Sequence, residues 1–163
     1  MKFRQALEIA TKIKDQLSPH CVRCEIAGSI RREKPTVKDI EIVAIPKHYN
    51  VGLFESGIAT VVNRWTKIKG ELPCKYTQRL LPEGIALDLF FATEQNWGLI
   101  YAIRTGSADY SHNVLAKAWV KNGFNSVNGV LVKNGYEYST PTEKSLFDLI
   151  GLQYLPPALR NVH

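Results

Sequence analysis

The sequence predicts an α+β fold, a mixed β-sheet with flanking helices followed by a smaller α+β piece. Three observations carry that prediction. Phe3, Leu7, Ala10, Ile13 and Leu17 recur at helical spacing and mark an amphipathic helix over residues 3–17. Apolar runs of strand length at 24–30, 40–45 and 85–91 are set apart by Pro, Gly and polar loops. Beyond Tyr101 the pattern changes to one helical stripe, two Asn-Gly turns and a short helix.

Each element has a local reason. Ser18-Pro19 ends the first helix, and a basic loop over 31–38 separates the first two strands. Residues 51–65 read as a second helix, with Leu53, Phe54, Ile58, Val61, Val62 and Trp65 available for a buried face. Residues 65–69 and 74–80 are further strands, punctuated by Pro73, Pro82 and Gly84. Tyr110, Val114, Leu115, Ala118 and Trp119 form the later helical stripe over 109–122, closed by Asn122-Gly123. Asn128-Gly129 and Asn134-Gly135 tolerate the positive φ of tight hairpins. Thr142 and Ser145 make half a capping box for a helix over 145–150, and Pro156-Pro157 keeps the tail extended. With no repeat and no Pro/Ser linker, the expected organisation is two packed pieces, 1–102 and 103–163.

Composition narrows the function. The chain of 163 residues is 45% hydrophobic and 22% charged, within the globular range. Twenty-one Lys plus Arg against fifteen Asp plus Glu give +6, which favours a polyanionic partner such as nucleic acid. No apolar run approaches the roughly 20 residues of a membrane-spanning helix, and the start does not read as a signal peptide. Cys21, Cys24 and Cys74 are too few for a disulfide scaffold, so an intracellular, reducing compartment is expected. Cys21 and Cys24 have half-zinc or redox spacing without a second half and read as ordinary strand cysteines.

The chemistry concentrates in carboxylates. Asp39 and Glu41 lie two apart on a strand and project the same way, while Ile40 and Ile42 face the core. Asp88 interrupts an apolar run, where a charge needs a partner or a metal. Three carboxylates on adjacent strands form an all-oxygen donor set suited to Mg²⁺ or Mn²⁺. Gly28-Ser29, expected at a strand end, offers backbone N–H groups and a hydroxyl, and Arg31-Arg32 adds guanidinium forks for phosphate. An anion cradle beside divalent metals is the equipment of phosphoryl or nucleotidyl transfer. Lys67, Lys69, Lys75 and Arg79 alternate along strands and read either as a DNA-facing stripe or as a solvated face.

In this order the motifs resemble the nucleotidyltransferase signature of family X DNA polymerases, the polymerase beta group. Gly28 to Arg32, Asp39 to Val43 and Leu87 to Leu89 carry the core of it. Arg104 to Ser107 with His112-Asn113, then Asn122 to Phe124, then Thr142-Glu143 through Arg160 extend it over about residues 4–160. The resemblance implies a nucleotidyltransferase-fold palm followed by a small α+β thumb. It implies that Asp39 and Glu41 bridge two Mg²⁺ (or Mn²⁺) and that Asp88 holds the metal activating a primer 3′-hydroxyl. Gly28, Ser29 and Arg32 would grip the incoming triphosphate, Thr105, Gly106 and Ser107 would shape the sugar pocket, and Asn113 would lie beneath the nascent pair. The implied partners are a dNTP and a DNA primer-template or gapped DNA, with the protein a monomer and no membrane involved. The implied role is gap filling in DNA repair.

Five positions depart from the family pattern. Glu41 stands where Asp is usual, Lys38 where Gly is usual, Ile103-Arg104 where an aromatic pair is usual, and Leu115 where a template-reading Arg is common. With the chain starting at the palm, the expectation is a minimal form without abasic-site lyase activity. Nucleotidyl transfer onto RNA, a protein or a small molecule remains the alternative enzymatic reading, and a non-catalytic DNA-end-binding module the alternative of another class.

Overall fold

The computed structural model describes residues 1–48 and 57–161. The chain divides into two compact units, Met1–Ala92 and Thr93–His163. The division expected at 102 therefore falls one helix earlier, because that helix packs its Leu99 and Ala102 into the second core.

In the first unit, α1 (Phe3–Leu17) leads through a single 3₁₀ turn into β1 (Cys21–Ile26). The buried side of α1 is Ala6, Ile9, Ala10, Ile13 and Leu17, whereas Leu7 is 36% exposed. The buried stripe is thus rotated from the expected one, with Ala6 and Ile9 in it and Leu7 at its margin. β1 stops at Ile26, and Gly28-Ser29 opens a helical turn, α2 (Gly28–Arg31), rather than ending a strand. Gly28 makes the turn at φ +62°, a left-handed value that a side chain disfavours.

β2 (Asp39–Pro46), α3 (Ile58–Val62), β3 (Thr66–Lys69), β4 (Tyr76–Leu80) and β5 (Ala86–Phe91) complete the unit. The expected helical positions Leu53 and Phe54 lie outside the described residues. The sheet order is β1-β2-β5-β4-β3, with β2 and β5 parallel and the other pairs antiparallel. Alternation then sorts the faces. Ile40, Ile42 and Ala44 of β2 join Leu87, Leu89 and Phe91 of β5 in one core with α1 and α3, and Cys21 and Cys24 lie in that core too. Their neighbours Asp39, Glu41 and Asp88 occupy the opposite face.

The second unit begins with α4 (Trp97–Thr105), a helix the residue pattern did not announce. Its Gly98, a poor helix former, is required by packing: a Cβ there would sit 2.0 Å from the Thr142 carbonyl oxygen. α5 (Ala108–Tyr110) passes through a π segment (Ser111–Ala116) into α6 (Lys117–Lys121). Asn-Gly turns with positive φ at both residues link β6 (Asn125–Val127), β7 (Val130–Lys133) and β8 (Tyr136–Tyr138).

α7 (Glu143–Leu149) starts at a complete capping box. Thr142 Oγ1 accepts from Ser145 N and Ser145 Oγ accepts from Thr142 N, each at 3.0 Å. The tail turns into a 3₁₀ segment (Pro157–Leu159) rather than staying extended. Arg160 follows it, fully buried, ion-paired with Glu143 and lying over the rings of Phe147 and Tyr154.

Candidate active site

Strand register assembles the acids in the first unit. Glu41 and Asp88 are direct partners across the parallel β2–β5 pair, and Asp39 lies two residues earlier, opposite Ala86. All three therefore share one face. Asp88 is 8% exposed and strongly held: Tyr76 Oη donates to its Oδ1 at 2.5 Å and Gln78 Nε2 donates to the same atom at 3.0 Å. Gln78 is the register partner of Asp88 on β4. Tyr76 and Gln78 are not among the residues the sequence singles out, because only the β4–β5 register brings Gln78 opposite the acid and Tyr76, opposite Phe90, within reach of it.

Asp39 lies near enough to Asp88 to feel its charge. Burial pushes the Asp39 carboxyl above its ordinary pKa, and the charge of Asp88 and a hydrogen bond to it push the same way. Two carboxylates this close compete for one proton or for a cation.

Gly28 lies against Glu41, whose Oε2 is 1.7 Å from where a Gly28 Cβ would stand. Ala27 N also donates to the Glu41 carbonyl at 2.8 Å, so the turn before α2 is pinned to β2 beside the acids. Ser29 Oγ is buried without a hydrogen-bond partner, an orphaned donor at a place where a ligand oxygen would satisfy it. Burial lowers the Arg32 guanidinium pKa, while Glu41 and then Asp39 hold it up, which places its charge beside both acids. A cleft of about 310 Å³ runs along Ser29, Arg32, Lys34, Thr36, Asp39 and Glu41, with Lys38 at its side. Lys34 and Thr36 are additions to the expected set, brought in by the loop between α2 and β2.

The donor chemistry fits a hard divalent cation: carboxylate oxygens on one face, with an electrostatic conflict between Asp39 and Asp88 that a cation would relieve. The three are not drawn around one point, and among the described residues no trio of His, Cys, Asp or Glu forms a ready-made metal cage. Glu41 packs against Gly28.

The remaining candidates belong to the second unit and cluster there. Thr105 ends α4 fully buried, Gly106 follows in extended conformation, and Ser107 caps α5 by accepting from Tyr110 N. The C-terminal segment braces this turn. Ser107 N donates to the Arg160 carbonyl at 2.9 Å and Ser107 Oγ to the Asn161 carbonyl at 3.2 Å. Asn113 is half-buried in the π segment, and Leu115 two residues on is buried in the second core.

Of the basic stripe considered from sequence, Lys67, Lys69 and Lys75 are exposed but Arg79 is not. Arg79 is 3% exposed, on the face of β4 away from Gln78 and Asp88. Among the described residues, no helix is long and apolar enough to cross a membrane.

No family model matches the chain. It is 28% identical over 165 residues to the DNA polymerase/3′-5′ exonuclease PolX of Bacillus subtilis (strain 168), a match covering 95% of this chain. The chain spans 27% of that relative's length, so the likeness is to a part of it.

Proposed function

We propose that this chain is a nucleotidyltransferase that extends a DNA 3′ end from deoxynucleoside triphosphates and releases pyrophosphate. The observation that carries the reading is the juxtaposition of Asp39, Glu41 and Asp88 on one sheet face with the Gly28-Ser29 turn and Arg32 along one cleft. The similarity to part of a polymerase supports the same chemistry, and the net charge of +6 suits a DNA partner.

Asp39, Glu41 and Asp88 would hold two Mg²⁺ or Mn²⁺ ions, Glu41 standing in for a shorter acid. Bound there, the ions supply Lewis-acid charge to the phosphates and to the attacking hydroxyl. The chain's own groups do the rest. Arg32 and the Ser29 hydroxyl bind the triphosphate oxygens and hold the α-phosphorus in line with the primer terminus. Asp88 Oδ2, the oxygen not engaged by Tyr76 or Gln78, accepts the proton of the 3′-hydroxyl. The 3′ oxygen forms its bond to the α-phosphorus as the bond to the β-bridging oxygen breaks, and that electron pair leaves with pyrophosphate. Thr105, Gly106, Ser107 and Asn113 are assigned to the sugar and base of the nucleotide.

Extension of a labelled primer, with and without template and with each metal, tests the reading. Asp88→Asn should abolish addition while the circular dichroism spectrum and DNA affinity stay near wild type, because a transition-state contact is lost and the apolar strand remains packed. Retention of more than a few per cent of wild-type turnover would sink the assignment.

A further inference from the structure

A second cleft, about 420 Å³, opens in the first unit around Asn63, Trp65, Lys67, Glu71 and Arg79. It lies on the face of β4 opposite the one carrying Gln78, so it is separate from the carboxylate site.

Arg79 is its unusual component. The residue is 3% exposed, and the three guanidinium nitrogens donate to neutral oxygens: Nε to Thr77 Oγ1 at 3.0 Å, Nη1 to the Trp65 carbonyl at 3.4 Å and Nη2 to the Gly70 carbonyl at 3.3 Å. Those bonds lock the fork and leave two of its five N–H groups over. No carboxylate among the described residues lies within ion-pair distance of it. A buried cation without a counter-charge in contact is costly, and an anion entering the cleft is what would compensate it.

Lys67 is the second donor. It is the direct register partner of Arg79 across β3–β4. Its Nζ donates to both oxygens of Glu71, at 2.8 and 2.9 Å, and both side chains are solvent-exposed. An exposed pair of this kind is weak and exchanges readily with a better anion. Glu71 feels chiefly Lys67 and only secondarily Arg79, so its exposed carboxylate caps the lysine and balances the buried fork only from a distance. The Asn63 side chain adds a neutral donor at the wall of the cleft.

We propose that this cleft binds a phosphate group, taken by the free N–H groups of Arg79 and by Lys67 as it turns away from Glu71. Two cations match the charge of a phosphate monoester, and the planar fork matches two of its oxygens. The group is either a free phosphate or the phosphate at the end of a nucleic-acid strand. The site stands apart from the proposed nucleotidyl transfer, and Asp88→Asn should leave it unaltered.

Titration of the full chain with inorganic phosphate, followed by NMR at the Trp65 indole and the amides of residues 63–79, tests this. Saturable shifts are expected there. Lys67→Met should weaken binding about fivefold and Glu71→Gln should strengthen it by a similar factor, as loss of a charged donor and of a competing anion require. Arg79→Lys should abolish binding. Should that variant not fold, the two exposed variants decide. Equal affinity in wild type, Lys67→Met and Glu71→Gln, or shifts confined to residues 28–38, would overturn the proposal. Competition by a 5′-phosphorylated oligonucleotide but not by its dephosphorylated form supports the site and makes the strand end its ligand. Binding of inorganic phosphate without competition from either supports it with a small phosphate compound as the ligand.

Discussion

At Gly28 the backbone does two jobs that no other residue could combine. It takes φ +62°, and it leaves the space in which Glu41 Oε2 stands. Gly28→Ala should therefore cost about 1–2 kcal/mol from the left-handed backbone alone, with a further loss as Glu41 is displaced. Chemical denaturation measures the first effect and primer extension the second; a variant as stable as wild type would contradict the geometry.

Asp39 makes the opposite contribution to stability. Its folded pKa lies above the unfolded one, so over that window the folded protein retains a proton that the unfolded chain has lost. The contribution of this group to stability thus falls as pH rises from the ordinary aspartate range through the folded value. Asp39→Asn should raise the Tm of the metal-free protein at neutral pH, with the gain disappearing near about pH 3, where both states are protonated. It should also abolish nucleotide addition. A lower Tm at neutral pH would show that the Asp39–Asp88 contact stabilises the fold instead.

Among the elements, β4 has the largest effect on the candidate site without belonging to its acids. Its two faces serve different ends, Tyr76 and Gln78 orienting Asp88 on one and Thr77 and Arg79 fastening the β3–β4 connection on the other. Tyr76→Phe removes a charge-assisted hydrogen bond worth about 1.5–3 kcal/mol but keeps the ring stacked on Phe90 at 4.9 Å. Since that bond fixes the Asp88 carboxylate in place, its loss should lower the turnover, with little change in fold. Unchanged turnover in primer extension would reduce Tyr76 to a packing residue. In the second unit the tail plays the bracing part, because the backbone around Arg160 holds Ser107, and the Arg160 guanidinium is itself locked by Glu143, Phe147 and Tyr154.

At the scale of the whole molecule, each unit has its own core, and the net charge of +6 is a property of the entire surface. DNA affinity should fall linearly on a log–log plot against salt as phosphate contacts release counterions. Fluorescence anisotropy at several salt concentrations gives the slope, and a salt-independent affinity would exclude a basic DNA-binding surface.

The sequence by itself determined the α+β class, the first helix, most strand positions and the shared face of Asp39 and Glu41. These depend on periodicity within one segment, which the order of residues contains. Tertiary structure decided the rest. The parallel β2–β5 pairing places Asp88 opposite Glu41, and β4 then supplies Tyr76 and Gln78, neither marked by any local pattern. α4 escaped detection because Gly98, unfavourable in an isolated helix, is selected by the Thr142 carbonyl beside it. Arg79 and Lys67 look alike in an alternating run, yet one is buried and the other exposed. The two are register partners on one face, but β3 is the sheet edge and β4 lies inside it, so only the order of the strands decides which of them is covered.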